Sequence, residues 1–105
     1  MSQPDITEIL AQAQQMQSEL EAAQQEILQT TVTGVAGNGL VSVEMKGSGE
    51  VAGVTVSPEV VNADDVETLQ DLIVGAFNDA HTLLAQLAQE KLGPLSQGFE
   101  GSGLF

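Results

Sequence analysis

The sequence contains no cysteine, tryptophan, tyrosine or arginine, a single histidine, and only two lysines among 105 residues. Without cysteine there is no disulfide framework, no thiolate zinc site and no cysteine nucleophile. Without arginine no guanidinium can grip a phosphate through two parallel bonds or read a guanine edge. The lone His81 lies between Ala80 and Thr82-Leu83, and no Gly-x-Ser-x-Gly elbow accompanies it, so no catalytic triad is expected and the chain reads as a non-enzyme. Gly34, Gly37, Gly39 and Gly47, Gly49, Gly53 match no phosphate-binding fingerprint, because neither set opens a helix after a strand; they read as turn glycines. Asp64, Asp65, Glu67 and Asp71 lack the calcium-loop spacing and its glycine, and read as acids favoured near a helix N-terminus. No metal and no cofactor is expected.

What the chain has in excess is negative charge. Asp and Glu number 15, which leaves a net charge of −13. The hydrophobic fraction of 42% is nevertheless that of a folded domain, so the acidity belongs to a globular protein rather than to a disordered acidic tail. No basic residue precedes an apolar stretch near Met1 to Asp5, and no apolar run is long enough to span a bilayer. The expectation is a soluble cytoplasmic protein with no membrane partner.

Residues Pro4 to about Gln29 read as a helix, with Pro4 in its first turn and Ser2 and Asp5 resembling a capping box. Ile6, Ile9, Ala13, Met16, Leu20, Ala23 and Ile27 alternate spacings of three and four, a narrow stripe suited to packing along another helix. Gln12, Gln14, Gln15, Gln17, Gln24 and Gln25 fill much of the remainder. From Thr30 the period changes to two. Thr30 to Val35, Leu40 to Met45 and Glu50 to Ser57 read as strands, with Val41, Val43 and Met45 on one face and Ala52, Val54 and Val56 on another, opposite Val51 and Thr55. The glycine-rich connections at 36–39 and 46–49 are too short for anything but antiparallel hairpins. Ser57-Pro58 ends the third strand, and Asn62 or Asp64 caps a second helix that runs to about Leu92, where Gly93-Pro94 stops it.

The fold class is therefore α+β: helix, three-stranded antiparallel meander, helix. Residues 1–92 form the domain, and 93–105 read as a flexible glycine-rich tail. Leu72-Ile73-Val74-Gly75-Ala76-Phe77 is apolar all the way round, so it reads as buried on every side, with Gly75 marking a close backbone approach. Each helix would be on the order of 40 Å long, whereas a strand of this size spans only about 20–26 Å. The sheet cannot cover both stripes. A homodimer with protruding helical arms resolves the mismatch, with Leu72, Ile73, Gly75, Ala76, Phe77, Met16 and Leu20 as packing residues of core or interface. The competing reading pairs the two helices only with each other inside one chain.

Particular words in this order resemble the YbaB/EbfC family of bacterial nucleoid-associated proteins, and most of all its actinobacterial members. They are Leu10-Ala11-Gln12-Ala13-Gln14-Gln15-Met16-Gln17, Gly34 through Leu40-Val41, Gly47-Ser48-Gly49-Glu50-Val51, and Asp64 through Ala80. The terminal Gly103-Leu104-Phe105 is similar too. The resemblance implies an α-β-β-β-α domain, a tight dimer with helical arms, a place in the nucleoid, and DNA as a partner. Family members that bind DNA typically carry Lys and Arg on the first helix; here that stretch holds Glu19, Glu21 and Ala22.

Charge sets two readings against each other. Duplex DNA presents about one negative charge per 1.7 Å, and affinity ordinarily comes from cations that release its counterions. Two copies of this chain at −13 each place −26 against that rod, with Lys46 and Lys91 the only side-chain cations per copy. One reading is a homodimeric nucleoid-associated protein that binds DNA and contributes to nucleoid organisation or gene regulation. The alternative is an acidic interaction dimer that holds a basic protein, or mimics DNA, without touching DNA itself.

Overall fold

Backbone conformations available almost only to glycine shape the middle of the chain. Gly37, Asn38 and Gly39 all have positive φ (61°, 57° and 90°), which turns the first hairpin, and Gly49 at φ 91° turns the second. The computed structural model describes residues 6–101, with side chains for residues 6–95. Its elements are α1 (Ile6–Gln29), β1 (Thr31–Ala36), β2 (Val41–Lys46), β3 (Val51–Val56), a short 3-10 turn at Pro58–Val60, and α2 (Val66–Gly101). The strands form one antiparallel sheet in the order β1-β2-β3. The described chain is long and thin, 79 × 22 × 16 Å.

The core is a single layer of helix on sheet. Val41, Val43 and Met45 of the central strand are fully buried against Ala76 and Ala80 of α2, with Val32, Ala36, Val56, Leu69, Leu72, Ile73 and Leu84 around them. The two alanines let the helix come down close, and Gly34 lets the strand receive it. A Cβ on Gly34 would overlap the Ala80 amide nitrogen and the Ala76 carbonyl oxygen. Gly47 plays the same part at the foot of α1, where a Cβ would overlap the Ile27 carbonyl. Its amide donates to the Thr30 carbonyl at 2.9 Å, and the Thr30 hydroxyl donates back to Glu26 O at 2.7 Å, closing the helix end.

The structure departs from expectation in five places, each with a physical reason. Gly34 and Gly53 are strand residues, not turn glycines, and the close approach is made by Gly34 rather than Gly75. Gly75 is exposed, and a Cβ there would meet only the Ala36 Cβ, at 3.4 Å. The alternation in β3 is broken by a bulge: Met45 pairs with Val51, so Val51 joins Val54 and Val56 on the helix side in place of Ala52. The cap of α2 is Asp65, whose carboxylate accepts from the Thr68 amide at 3.4 Å and hydroxyl at 2.7 Å, while Asn62 builds the preceding turn by accepting from the Asp64 amide. Finally, α2 does not end at Leu92 but passes through Pro94 to Gly101. Gly93 has no Cβ to clash with the proline ring, which relieves one of the ways a proline opposes helix, while the cost of the missing Pro94 N–H remains. The rest of the expected tail, 102–105, and the expected start of the first helix around Ser2, Pro4 and Asp5 lie outside the described residues.

The two close approaches predict an asymmetric response to added methyl groups. Gly34→Ala and Gly47→Ala should each destabilise the protein by about 2–3 kcal/mol or more, because backbone must move on both sides. Gly53→Ala, whose Cβ meets nothing within 4 Å, should be neutral or stabilising by up to about 1 kcal/mol, since alanine suits a strand better than glycine. Urea titrations of the three variants check this ordering.

Candidate nucleic-acid interface

The helices meet beyond the sheet. Ile27 of α1 is buried, and with Gln24 and Leu28 it lines an apolar groove closed on the other side by Ala88 and Leu92 of α2. Beside it the Lys91 ammonium donates to Glu26 Oε1 at 2.8 Å. From this junction the two helices project away from the sheet in opposite chain directions, forming an arm. Met16 and Leu20 are half-buried on the inner side of α1 and line a second groove with Ala13 and Gln17.

The back of α1 is a surface of unusual composition for so acidic a chain. Thr7, Ala11, Gln14, Ser18, Ala22, Gln25 and Gln29 are all exposed. At 100° per residue they fall within one band of about 80°, directly opposite Met16, Leu20 and Ile27. Not one is charged. The helix's four glutamates lie to the sides, Glu8, Glu19 and Glu26 along one flank and Glu21 on the other. The ridge is about 33 Å long at 1.5 Å per residue, close to one turn of B-form DNA at about 34 Å. It offers amide and hydroxyl donors of the kind that bind phosphate oxygens.

Neither lysine is free. Lys46 lies 3.8 Å from Glu50 across its hairpin, with both side chains well exposed, a pair of little energetic weight. Lys91 is held above its ordinary value of 10.5, first by the hydrogen bond it donates to Glu26 and then by the charges of Glu26 and Glu90. Among the described residues no group of three His, Cys, Asp or Glu side chains is placed to hold a metal ion, and Asp65 is occupied by its cap. His81 stacks on Phe77 at 6.4 Å between ring centroids. No described helix is long and apolar enough to cross a membrane.

The packing residues expected from sequence fall in three separate places. Leu72, Ile73 and Ala76 join the sheet core. Met16 and Leu20 lie on the arm, far along α1. Gly75 and Phe77 face outward within the single chain, as does Val74, so the central turns of α2 are not enclosed by the chain alone.

Comparison with known proteins bears on this arrangement. The sequence profile of the YbaB/EbfC DNA-binding family matches residues 2–99. The chain belongs to the YbaB/EbfC DNA-binding family. A nucleoid-associated protein of Corynebacterium diphtheriae is 67% identical over 98% of this chain and 97% of its own length. A nucleoid-associated protein of Rhodococcus opacus is 57% identical over 97% of this chain and 90% of its own. Among solved structures, an uncharacterized protein of Helicobacter pylori shares the YbaB-like chain's fold with a TM-score of 0.66 at 22% identity, covering 84% of this chain and 92% of that one.

The junction makes a pH prediction. Folding favours the protonated Lys91 amine, so its contribution is fully present below 10.5 and is lost as pH rises through the higher value that the folded state holds. Thermal melts across the alkaline range should show stability falling above that point, and Lys91→Met should flatten the fall.

Proposed function

We propose that this chain is a homodimeric, non-enzymatic component of the nucleoid that lays the uncharged ridge of α1 along duplex DNA. Family membership supports DNA as the partner, and the relatives' names support the nucleoid as the place. The observation that carries the reading is the ridge itself. None of the four glutamates of this largely exposed helix lies in the band of about 80° opposite Met16, Leu20 and Ile27. Contact there brings glutamine and serine donors to the phosphates while keeping carboxylates to the sides.

The physics of this contact differs from that of a basic protein. Few counterions are released, because each chain has two lysines and both are paired. Binding is therefore weak, and its dependence on salt is shallow, with repulsion between the acidic flanks and the duplex offsetting much of the hydrogen bonding. Fluorescence anisotropy with a labelled duplex across a salt series, with Mg²⁺ present, tests this. The expected result is measurable binding with a slope far below that of a lysine-rich protein. Ser18→Lys and Gln25→Lys should tighten binding roughly tenfold together and steepen the slope by about one counterion per added charge. Absence of binding at low salt would overturn direct contact, and retention on a basic protein instead would favour the acidic interaction dimer.

The dimer part of the proposal is supported by what α2 leaves uncovered. The helix packs on β1 and β2, so the helix-side face of β3 stays open, with Val51 and Val54 at 40% and 49% exposure. Val74 and Phe77 of α2 are exposed as well, at 57% and 40%. A second copy covering these side chains would gain on the order of 1 kcal/mol from each. Light scattering should give about twice the monomer mass, and Val54→Asp should return a monomer; a monomeric wild-type chain would end this part of the proposal.

A further inference from the structure

The two edges of the sheet are finished differently. In the β1–β2 ladder Val32, Gly34 and Ala36 share the hydrogen-bonded pairing that begins with the Gly47 amide on Thr30 O, so the amides of Thr31, Thr33 and Val35 face the outer edge. One of these is taken. Asp79 reaches across from α2, and its Oδ2 accepts from the Val35 amide at 2.8 Å, a contact between residues 44 positions apart. On the far side, the Ser57 amide donates to Leu40 O, which leaves the amides of Val54 and Val56 at the outer edge of β3. No carboxylate or ammonium is present in β3, whose sequence is Val-Ala-Gly-Val-Thr-Val.

An open strand edge pairs with any extended chain that reaches it, and proteins close such edges with charge, proline or a covering element. A carboxylate oxygen bound to the Val35 amide stands where an incoming strand's carbonyl would stand, and that strand would have to strip water from the charge. A sheet open at both edges can add copies without end, whereas one open at a single edge closes as a pair.

We propose that Asp79 determines the specificity of assembly: by taking the Val35 amide it blocks the β1 edge at its hairpin end and confines the addition of a second copy of this chain to the β3 side, so that association stops at two. This rests on the homodimer reading above, and the test separates the two. The full-length wild type and the variants Asp79→Ala and Asp79→Asn are compared by light scattering over a concentration series and by amide hydrogen exchange at Val35. The wild type should stay at two chains with a protected Val35 amide. Asp79→Ala should exchange that amide about tenfold faster or more and form species larger than two chains that grow with concentration. Asp79→Asn keeps an acceptor oxygen and should restore both protection and size. Adding Val35→Pro to Asp79→Ala removes the edge amide itself, a change edge strands tolerate, and should return the protein to two chains. Asp79→Ala that stays folded by circular dichroism and holds two chains at every concentration overturns the proposal, as does growth that persists with Val35→Pro. A wild type that is monomeric overturns the homodimer reading and the limit of two, whereas a fast Val35 amide in the wild type refutes only the edge closure.

Discussion

The seam where α2 meets β1 constrains everything else in this fold. Gly34, Ala76 and Ala80 bring helix backbone and strand backbone closer than any side chain would permit. A helix seated that low has little freedom to slide across the sheet, because a neighbouring residue under it would have to be glycine as well. It therefore lies over β1 and β2 and cannot also reach β3. The bare face of β3 is a direct consequence of where the small residues are. So is the reach of Asp79, which sits next to Ala80 in sequence and arrives at the outer edge of β1 only because the helix is held against that strand.

The arm depends on the second close approach. Gly47 receives the Ile27 carbonyl, which fixes the foot of α1 beside the hairpin, and the same Ile27 is buried against the groove walled by Ala88 and Leu92. The Glu26–Lys91 pair adds direction to this junction but lies largely in solvent, so the apolar contact carries more of the stabilisation. With its foot fixed at Gly47 and Ile27 buried beside Ala88 and Leu92, the rotational setting of α1 is determined at this junction. That setting decides which residues form the ridge.

Element types and order were legible from period and punctuation. The three-four spacing from Ile6 to Ile27, the alternation from Val41 to Met45, and two glycine-rich connections were enough to establish helix, meander and helix. What escaped the sequence was geometry that depends on tertiary neighbours. Nothing in Thr-Val-Thr-Gly-Val-Ala distinguishes a glycine demanded by a helix above it from one demanded by a turn. The bulge at Ala52 follows from the hairpin's closure at Lys46 and Glu50, which pattern alone does not reveal. Pro94 carried its usual meaning as a stop, yet α2 continues through it, with the glycine before it relieving only the clash with the preceding Cβ. The ridge was half legible: the glutamines were conspicuous, but their common face became visible only once the rotation of α1 was known.

That rotation also changes what the acidity of the chain means. A net charge is a property of the whole surface, and a rod-like ligand meets only a strip of it. At physiological ionic strength charges are screened over about 8 Å, less than the width of the helix with its side chains, about 10–12 Å. A phosphate over the middle of the ridge therefore feels the flanking glutamates through a substantial part of a screening length, and those on the sheet and on α2 hardly at all. In the proposed contact the total of −13 governs approach, while the composition of the ridge governs what the phosphates meet. An acidic protein of a DNA-binding family is consistent with electrostatics on these terms, provided the contact is made by neutral donors along the one face that its glutamates avoid.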